Sequence, residues 1–358
     1  MKTLLYLLLF NISANSFAQI VNVPDTNFKN ALIEEGVDAN NDGEIQVSEA
    51  EAVLNLSVNY KNISSLEGIQ SFVNLEELYC SGNQLTMLDM SQNLNLQKLT
   101  CIFNQLNSLN VTQNINLKYL WCEENLLSNL DISQNINLET LWCANNQLTT
   151  LEVSQNLNLK SLLCWDNLID NLNVTQNLNL EVFVCSNNHL TGLDLSENNN
   201  LNYLECNDNQ LNSLFLNNGN NHNMGGMFST GNVSLMCIQV DDENAIYPEC
   251  EGFPLEGWCK DDWSSYSEDC SLSLTDLKRA NFSLYPNPAK DKLFLSATNP
   301  TENLKVKIFN IEGKLLSTKN GKLENQIFID VSNLSSGMYF INIEDENGNT
   351  VVKKFIKE

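Results

Sequence analysis

The stretch NLEELYCSGNQLTMLDMSQNL, residues 74–94, is followed without a gap by NLQKLTCIFNQLNSLNVTQNI, residues 95–115. The two share one 21-residue pattern, and seven such units run from Asn74 to Asn220. Cysteine recurs at 80, 101, 122, 143, 164, 185 and 206, and asparagine at 83, 104, 125, 146, 167, 188 and 209. A fixed period of this length marks a solenoid of stacked coils. In the first unit Leu75, Leu78, Cys80, Leu85, Leu88, Met90 and Leu94 are expected to point inward. One coil buries too little apolar surface to offset the entropy of ordering its chain, so neighbouring coils must share buried faces.

Both halves of a unit carry one signature. Leu75-x-x-Leu78-x-Cys80-x-x-Asn83 is followed by Leu85-x-x-Leu88-x-Met90-x-x-Asn93. This predicts a short strand on each side of the coil and two parallel sheets, with no room for a helix. The Asn83 and Asn93 columns fall where the chain turns inward. A buried amide there can bond backbone groups that the turn leaves unpaired, and amides of adjacent coils can bond each other. The cysteine column could suggest metal or disulfides, but seven is odd and no Cys-x-x-Cys spacing or histidine partner accompanies it. Neighbours about 4.8 Å apart with parallel Cα–Cβ bonds do not match a disulfide, whose Cβ atoms converge to about 3.8 Å. The column reads as small buried hydrophobes.

The flanking segments read differently. Lys2, the apolar run Leu4 to Phe10 and Ser16-Phe17-Ala18 form a signal peptide over residues 1–18, which places the mature start near Gln19 in an oxidising compartment. The apolar run is shorter than the roughly 20 residues of a membrane helix, and no other stretch is long enough. Residues 19–52 read as an N-terminal cap. Within it, residues 24–36 suit a helix opened by Pro24 and Asp25 and closed by Gly36. DANNDGEIQVSE, residues 38–49, then matches an EF-hand loop at each defining position. Asp38, Asn40 and Asp42 would be side-chain ligands to Ca²⁺, Glu44 would offer its carbonyl, and Glu49 would bind through both carboxylate oxygens. A single loop argues for stiffening of the cap rather than sensing.

After the repeats of 53–220, of which 53–73 is an irregular first coil, the period breaks. Residues 221–270 read as a second cap. Its four cysteines, Cys237, Cys250, Cys259 and Cys270, imply two disulfides with three possible connectivities. Residues 271–281 form a linker. Alternating strands in 282–358 indicate a small β-sandwich. The charge divides at the same place. The chain has 44 acidic and 19 basic residues, a net −25, whereas 282–358 holds ten Lys and nine Asp or Glu for a net +1, leaving −26 for the rest. So acidic a surface disfavours nucleic acid and anionic membranes as partners.

The pattern LxxLxCxxNxLxxLDxSxN over 74–220 resembles the leucine-rich repeats of secreted Bacteroidetes proteins, often termed internalin-like. That resemblance implies binding, mostly of proteins, on a concave strand-lined face. The segment CIQVDDEN resembles the terminal cap of the same proteins, which implies Cys237–Cys270 and leaves Cys250 for Cys259. Tyr285-Pro286-Asn287-Pro288, Ile308-Phe309-Asn310-Ile311-Glu312-Gly313 and Ser336-Gly337-Met338-Tyr339 closely resemble the type A C-terminal sorting domain of the type IX secretion system. It implies an immunoglobulin-like fold, recognition by that machinery, passage across the outer membrane, and release or surface anchoring.

Nothing points to catalysis. The two histidines, His189 and His222, fall in a variable column and an irregular coil, and no nucleophile elbow, phosphate loop or HExxH occurs. The column Asp89, Asp131, Glu152 and Asp194, interrupted by Asn110 and Asn173, reads as a solvated ladder. A carbohydrate-active enzyme would need two carboxylates about 5–9.5 Å apart across a groove. The core accounts for the Leu and Cys columns but not for Trp121, Trp142 and Trp165 in consecutive units. With Tyr79, Phe103, Tyr119 and Tyr203 they suggest a ligand-binding strip on the first sheet. The ligand is expected to be a protein, with a glycan as the alternative because flat aromatic platforms suit sugar rings.

Overall fold

The computed structural model describes residues 19–250, 257–270, 282–296, 301–311, 313–323, 326–344 and 350–358. The expected signal peptide of 1–18 and the expected linker of 271–281 lie outside these. The chain divides into two compact units, Met1–Glu268 and Asp269–Glu358.

The first unit is a solenoid. Its strands are β1 (Asn55–Ser57), β2 (Glu77–Tyr79), β3 (Lys98–Thr100), β4 (Tyr119–Trp121), β5 (Thr140–Trp142), β6 (Ser161–Leu163), β7 (Val182–Val184), β8 (Gly192–Asp194), β9 (Tyr203–Glu205), β10 (Ser213–Phe215), β11 (Gly226–Phe228), β12 (Cys237–Gln239), β13 (Gly257–Cys259) and β14 (Ser265–Ser267). Ten of them pair in parallel as β1-β2-β3-β4-β5-β6-β7-β9-β11-β13. Register is strict. Leu78 lies against Leu99, Leu120, Leu141, Leu162, Phe183 and Leu204 in turn, so one apolar row runs up the core. The ladder outlasts the 21-residue period. Met227 and Trp258 continue the row, so the expected second cap supplies two further ladder strands.

The second sheet is shorter than predicted. It joins only β8, β10, β12 and β14, and before it the opposite limb makes a single bridge, Asp89 to Asn110. Leu94 is a second correction. It is half exposed rather than inward, and the buried residue at that turn is Leu96. The cysteine column behaves as expected. All seven thiols are buried and free, and desolvation pushes those of Cys101 and Cys164 up to about 12, which leaves them protonated and inert.

Two asparagine ladders tie the coils together. Asn125 donates through Nδ2 to the carbonyls of Cys101 in the previous coil and of Cys122 and Glu123 in its own, while its Oδ1 accepts from Leu106 N–H. Asn83, Asn104, Asn146, Asn167, Asn188 and Asn209 repeat this arrangement. In the second ladder Asn135 donates to the carbonyls of Val111 and Asn114. The Oδ1 atoms of Asn93, Asn114, Asn135, Asn156, Asn177 and Asn198 have no protein donor. The expected bonds between side-chain amides do not form. Each amide instead reaches backbone groups of the coil below. In the first ladder the cysteine carbonyls have only asparagine amides as donors, whereas in the second each carbonyl also accepts a backbone N–H.

At the N-terminal end α1 (Thr26–Glu34) is capped by Asp25, whose Oδ1 accepts from Asn27 and Phe28 N–H, and Phe28, Ala31 and Leu32 cover the first coil. At the other end Trp258 closes the core, stacked on Tyr247 with centroids 4.1 Å apart. Cys250 is bonded to Cys259, and Cys237 and Cys270 are also disulfide-bonded. In the second unit, antiparallel strands form a three-stranded and a four-stranded sheet that share one apolar cluster, including Leu293, Leu295, Ile329, Val306, Ile308 and Ile341.

The two asparagine ladders differ in how much backbone they satisfy. Asn125→Ala leaves the buried Leu106 N–H without an acceptor, whereas every carbonyl that Asn125 or Asn135 reaches keeps a second donor, so Asn135→Ala strands no backbone group. Asn125→Ala should therefore cost about 1–3 kcal/mol in urea denaturation, and more than Asn135→Ala. Equal losses for the two would show that cavity formation, not backbone pairing, sets the cost.

Candidate ligand-binding face

In each ladder strand the middle residue points into the core and its two neighbours point out. On β4 and β5 these outward residues bring Trp121 beside Trp142. The rings stack with centroids 4.4 Å apart and planes 9° from parallel, close to the spacing of the strands that carry them. Trp142 Nε1 donates to Ser161 Oγ at 3.1 Å. Lys98, from β3, places its Nζ 4.5 Å from the Trp121 ring centre, 5.0 Å from that of Tyr79 and 5.9 Å from that of Tyr119. Trp121 thus has Trp142 on one side and an ammonium on the other. The rings stand edge-up on the sheet and are half buried.

The remaining predicted residues are distributed more widely. Tyr119 belongs with the Lys98 group. Trp165, two residues beyond β6, makes no ring contact among the described residues. Tyr203 lies on β9, tilted against Phe228 at 5.6 Å, with its hydroxyl donating to Glu205. Phe103 leaves the strand entirely. It occupies the tight turn after β3 with φ 53° and stays exposed. The same turn position is held by Tyr60, Gly82, Glu124, Asn145, Asp166, Asn187 and Asp208, all at positive φ. Gly82 is required there, because an added Cβ would fall 2.1 Å from the Tyr60 ring.

Lys98 and Glu123 are not among the residues the sequence assigns to the strip. Lys98 is the one cation among the outward positions of the ladder strands. Glu123 stands just past β4. Its Oε2 is buried without a donor, and burial, with Glu124 close by, pushes its carboxyl up to about 7. The Trp121 Nε1–H is also buried without an acceptor.

The carboxylate column opposite the ladder is structural. Asp89, Asp131 and Asp194 accept the N–H of the serine two residues on, as Asn110 and Asn173 do from threonine and Glu152 from Ser154. The N–H bond from Ser91 holds the Asp89 carboxyl below its usual range, and that from Ser133 does the same for Asp131. His189 and His222 are both exposed.

The EF-hand-like loop closes on itself. Asp38 accepts N–H bonds from Asp42 and Gly43, and Asp42 accepts Gln46 Nε2 at 3.0 Å. Glu49 accepts from Ala39, Asn40 and Gln46 N–H and so caps the short helix α2 (Val47–Ala50). The Glu44 side chain pairs with Lys29 at 2.7 Å. Asn41 and Gly43 supply the positive φ values of the turn. Among the described residues no three acidic, thiol or imidazole groups gather as a metal cage. The hard oxygen donors suit calcium, and an ion would have to displace Gln46 Nε2 from Asp42.

Glu123 keeps its proton to higher pH in the folded protein than in the unfolded chain. The folded state holds the extra proton between about pH 4.5 and 7, so this stabilisation is present below that window and lost as pH rises through it. Glu123→Gln should melt with the parent protein at pH 4 and above it at pH 8. Coincident melting curves at both pH values would refute the burial of this carboxylate.

Residues 283–358 match the secretion system C-terminal sorting domain. No curated protein matches the chain. Among solved structures, internalin C2 of Listeria monocytogenes is similar at 22% identity and a TM-score of 0.50, over 54% of this chain and 89% of that one. The functional domain of InlJ from Listeria monocytogenes, which includes a cysteine ladder, aligns at 19% identity and a TM-score of 0.45, over 95% of this chain and 99% of that one. A leucine-rich-repeat protein of Leptospira interrogans aligns at 23% identity and a TM-score of 0.38, over 52% and 53%. The likeness to internalin C2 shows that the solenoid has the internalin-type leucine-rich-repeat fold. No helix among the described residues is long and apolar enough to cross a membrane. With its sorting domain, the chain is exported by the type IX secretion system to the cell surface or beyond it.

Proposed function

We propose that the solenoid is a non-catalytic binding module that recognises a protein ligand through the outward face of its ten-stranded ladder. The observation that carries this reading is the Trp121–Trp142 stack with Lys98 held over Tyr79, Tyr119 and Trp121. Rigid aromatic side chains on a sheet supply contact area at little entropic cost. The geometry favours a protein over a glycan. A sugar ring packs on an open aromatic face, and both sides of Trp121 are taken. Edges of rings, a cation and flanking hydroxyls offer a mixed surface of the kind side chains fill. The type IX machinery would engage the sorting domain, for which an immunoglobulin-like sandwich is the architecture we favour.

Pull-down from the native environment should recover a partner, and a glycan array should remain blank. Trp142→Ala should then weaken the recovered complex by more than about 2 kcal/mol, with circular dichroism unchanged. Lost stability with intact binding would show the tryptophans to be packing only.

We also propose that the loop of Asp38, Asn40, Asp42, Glu44 and Glu49 takes up Ca²⁺ at extracellular-grade affinity, about 10⁻⁴–10⁻³ M, and stiffens the cap. Millimolar calcium should raise the melting temperature modestly, since tenfold excess over the dissociation constant contributes about 1.4 kcal/mol. Asp38→Ala should abolish the shift. Identical melting with calcium and with chelator would exclude the site.

A further inference from the structure

The exposed aliphatic residues of the repeats are not scattered. Leu94, Ile115, Ile136, Leu157 and Leu178 occupy one position in five consecutive coils and are 50%, 54%, 55%, 53% and 52% exposed, with Val73 ahead of them. They sit in the turn that leads into the ladder strand. Each is fixed in place by the next coil. Asn95 Nδ2 donates to the Val73 carbonyl, and Asn116, Asn137, Asn158, Asn179 and Asn200 do the same to Leu94, Ile115, Ile136, Leu157 and Leu178. The result is a ridge of six apolar teeth, about 24 Å long at one strand spacing per tooth.

The charge around the ridge is unlike the rest of the solenoid. The turn segments SQNLN, TQNIN, SQNIN, SQNLN and TQNLN, starting at residues 91, 112, 133, 154 and 175, contain no charge. Lys118 and Lys160, two of the three lysines in 74–220, lie three residues beyond the teeth Ile115 and Leu157. They alternate there with Glu139 and Glu181, and Lys160 pairs with Glu139 at 2.8 Å. An uncharged, apolar band thus runs between the exposed carboxylates of Asp89, Asp131 and Glu152 on one side and the alternating Lys118, Glu139, Lys160 and Glu181 on the other, along a unit of net −26.

We propose that this ridge is the interface through which two copies of the chain associate, with the teeth of one ridge seated between those of the other. Two observations select a second copy over other occupants. The teeth recur at the strand spacing, and another copy carries the same period and so meshes along its whole length. Two chains of net −25 repel wherever charged faces meet, and this band is where they can approach. The teeth offer on the order of 500 Å² per copy, against about 800 Å² per partner in a typical stable interface, and the flanking Gln and Asn side chains supply the remainder.

Sedimentation equilibrium of the purified protein between about 1 and 200 µM tests this. A dimer is expected, strengthened by raising the salt, because screening relieves like-charge repulsion. Ile136→Asp should shift the protein to monomer over that range. Leu126→Asp, at an exposed leucine outside the ridge, should leave it dimeric, and so should Trp142→Ala, which separates this interface from the ligand face. Leu157→Ser provides a milder variant should Ile136→Asp fold poorly by circular dichroism. A wild-type protein that stays monomeric throughout overturns the proposal. So does a folded Ile136→Asp or Leu157→Ser variant that dimerises like the parent. A monomer whose binding to phosphatidylcholine vesicles depends on Ile136 would overturn it in favour of a lipid-facing ridge.

Discussion

A three-residue strand followed at once by a tight turn leaves backbone carbonyls pointing into an apolar core, and the solenoid exists because a buried asparagine in the next coil meets them. The Asn125 amide reaches Cys101 O below it and Cys122 O beside it, and offers its oxygen to Leu106 N–H. That side chain is short and must sit at one height. It therefore fixes the length of the coil as well as its spacing. A deletion or insertion inside a unit would move the amide off its carbonyls, which is a physical reason for seven units without a slip. The leucine row supplies the burial, and the amides determine where burial can occur.

Fixed coil length turns every surface feature into a column. An outward position on β4 is repeated one strand away on β5, so two tryptophans at one position must stack, and they do at 4.4 Å. The residue before the ladder asparagine must adopt positive φ in each coil. Asn, Asp and Gly hold most of these places, and Tyr60 and Phe103 are the aromatic exceptions, both exposed where the turn leaves no room to fold inward. The aliphatic teeth follow the same rule. They are presented outward by a turn whose geometry is set by the Asn93 ladder one residue earlier.

The residues that answer to the core were legible in the sequence, because burial and period are the same signal. Cys80 and Asn83 repeat without exception, the Leu78 column changes only at Phe183, and all of these residues but the half-buried Asn146 are buried. Leu94 misled because Leu94 and Leu96 are both leucine two residues apart, and the chain turns between them. Composition cannot say which one enters the core. The second sheet is shorter than the sequence suggests for a related reason. An LxxLx signature reports burial, and limbs whose Asp or Asn side chains bond the N–H two residues on pack their leucines while pairing with a neighbour only once before β8. The proposed binding strip is half legible. Tyr79, Tyr119, Trp121 and Trp142 come together as read, but Lys98 is what joins them. A lone lysine in a variable column carries no sequence signal until three rings are found around it.

The ladder face and the aliphatic ridge belong to the same coils, with the ridge in the turn and the aromatic stack on the strand that follows. They differ in what they ask of a partner. The stack offers rings, a cation and hydroxyls within a strongly acidic unit, so long-range attraction favours a ligand with basic character and the local chemistry decides its pose. The ridge offers aliphatic groups and no charge, so it gains from whatever weakens electrostatics. Two chains meeting on their ridges would each keep a ladder face free and would hold the pair of faces at a fixed separation. A ligand displayed in many copies on a surface would then be held twice, and the second contact would be intramolecular. Avidity of that kind can exceed a single affinity by about 10²–10⁴ without any new contact. A modest aromatic strip of two stacked tryptophans would thereby suffice for firm attachment.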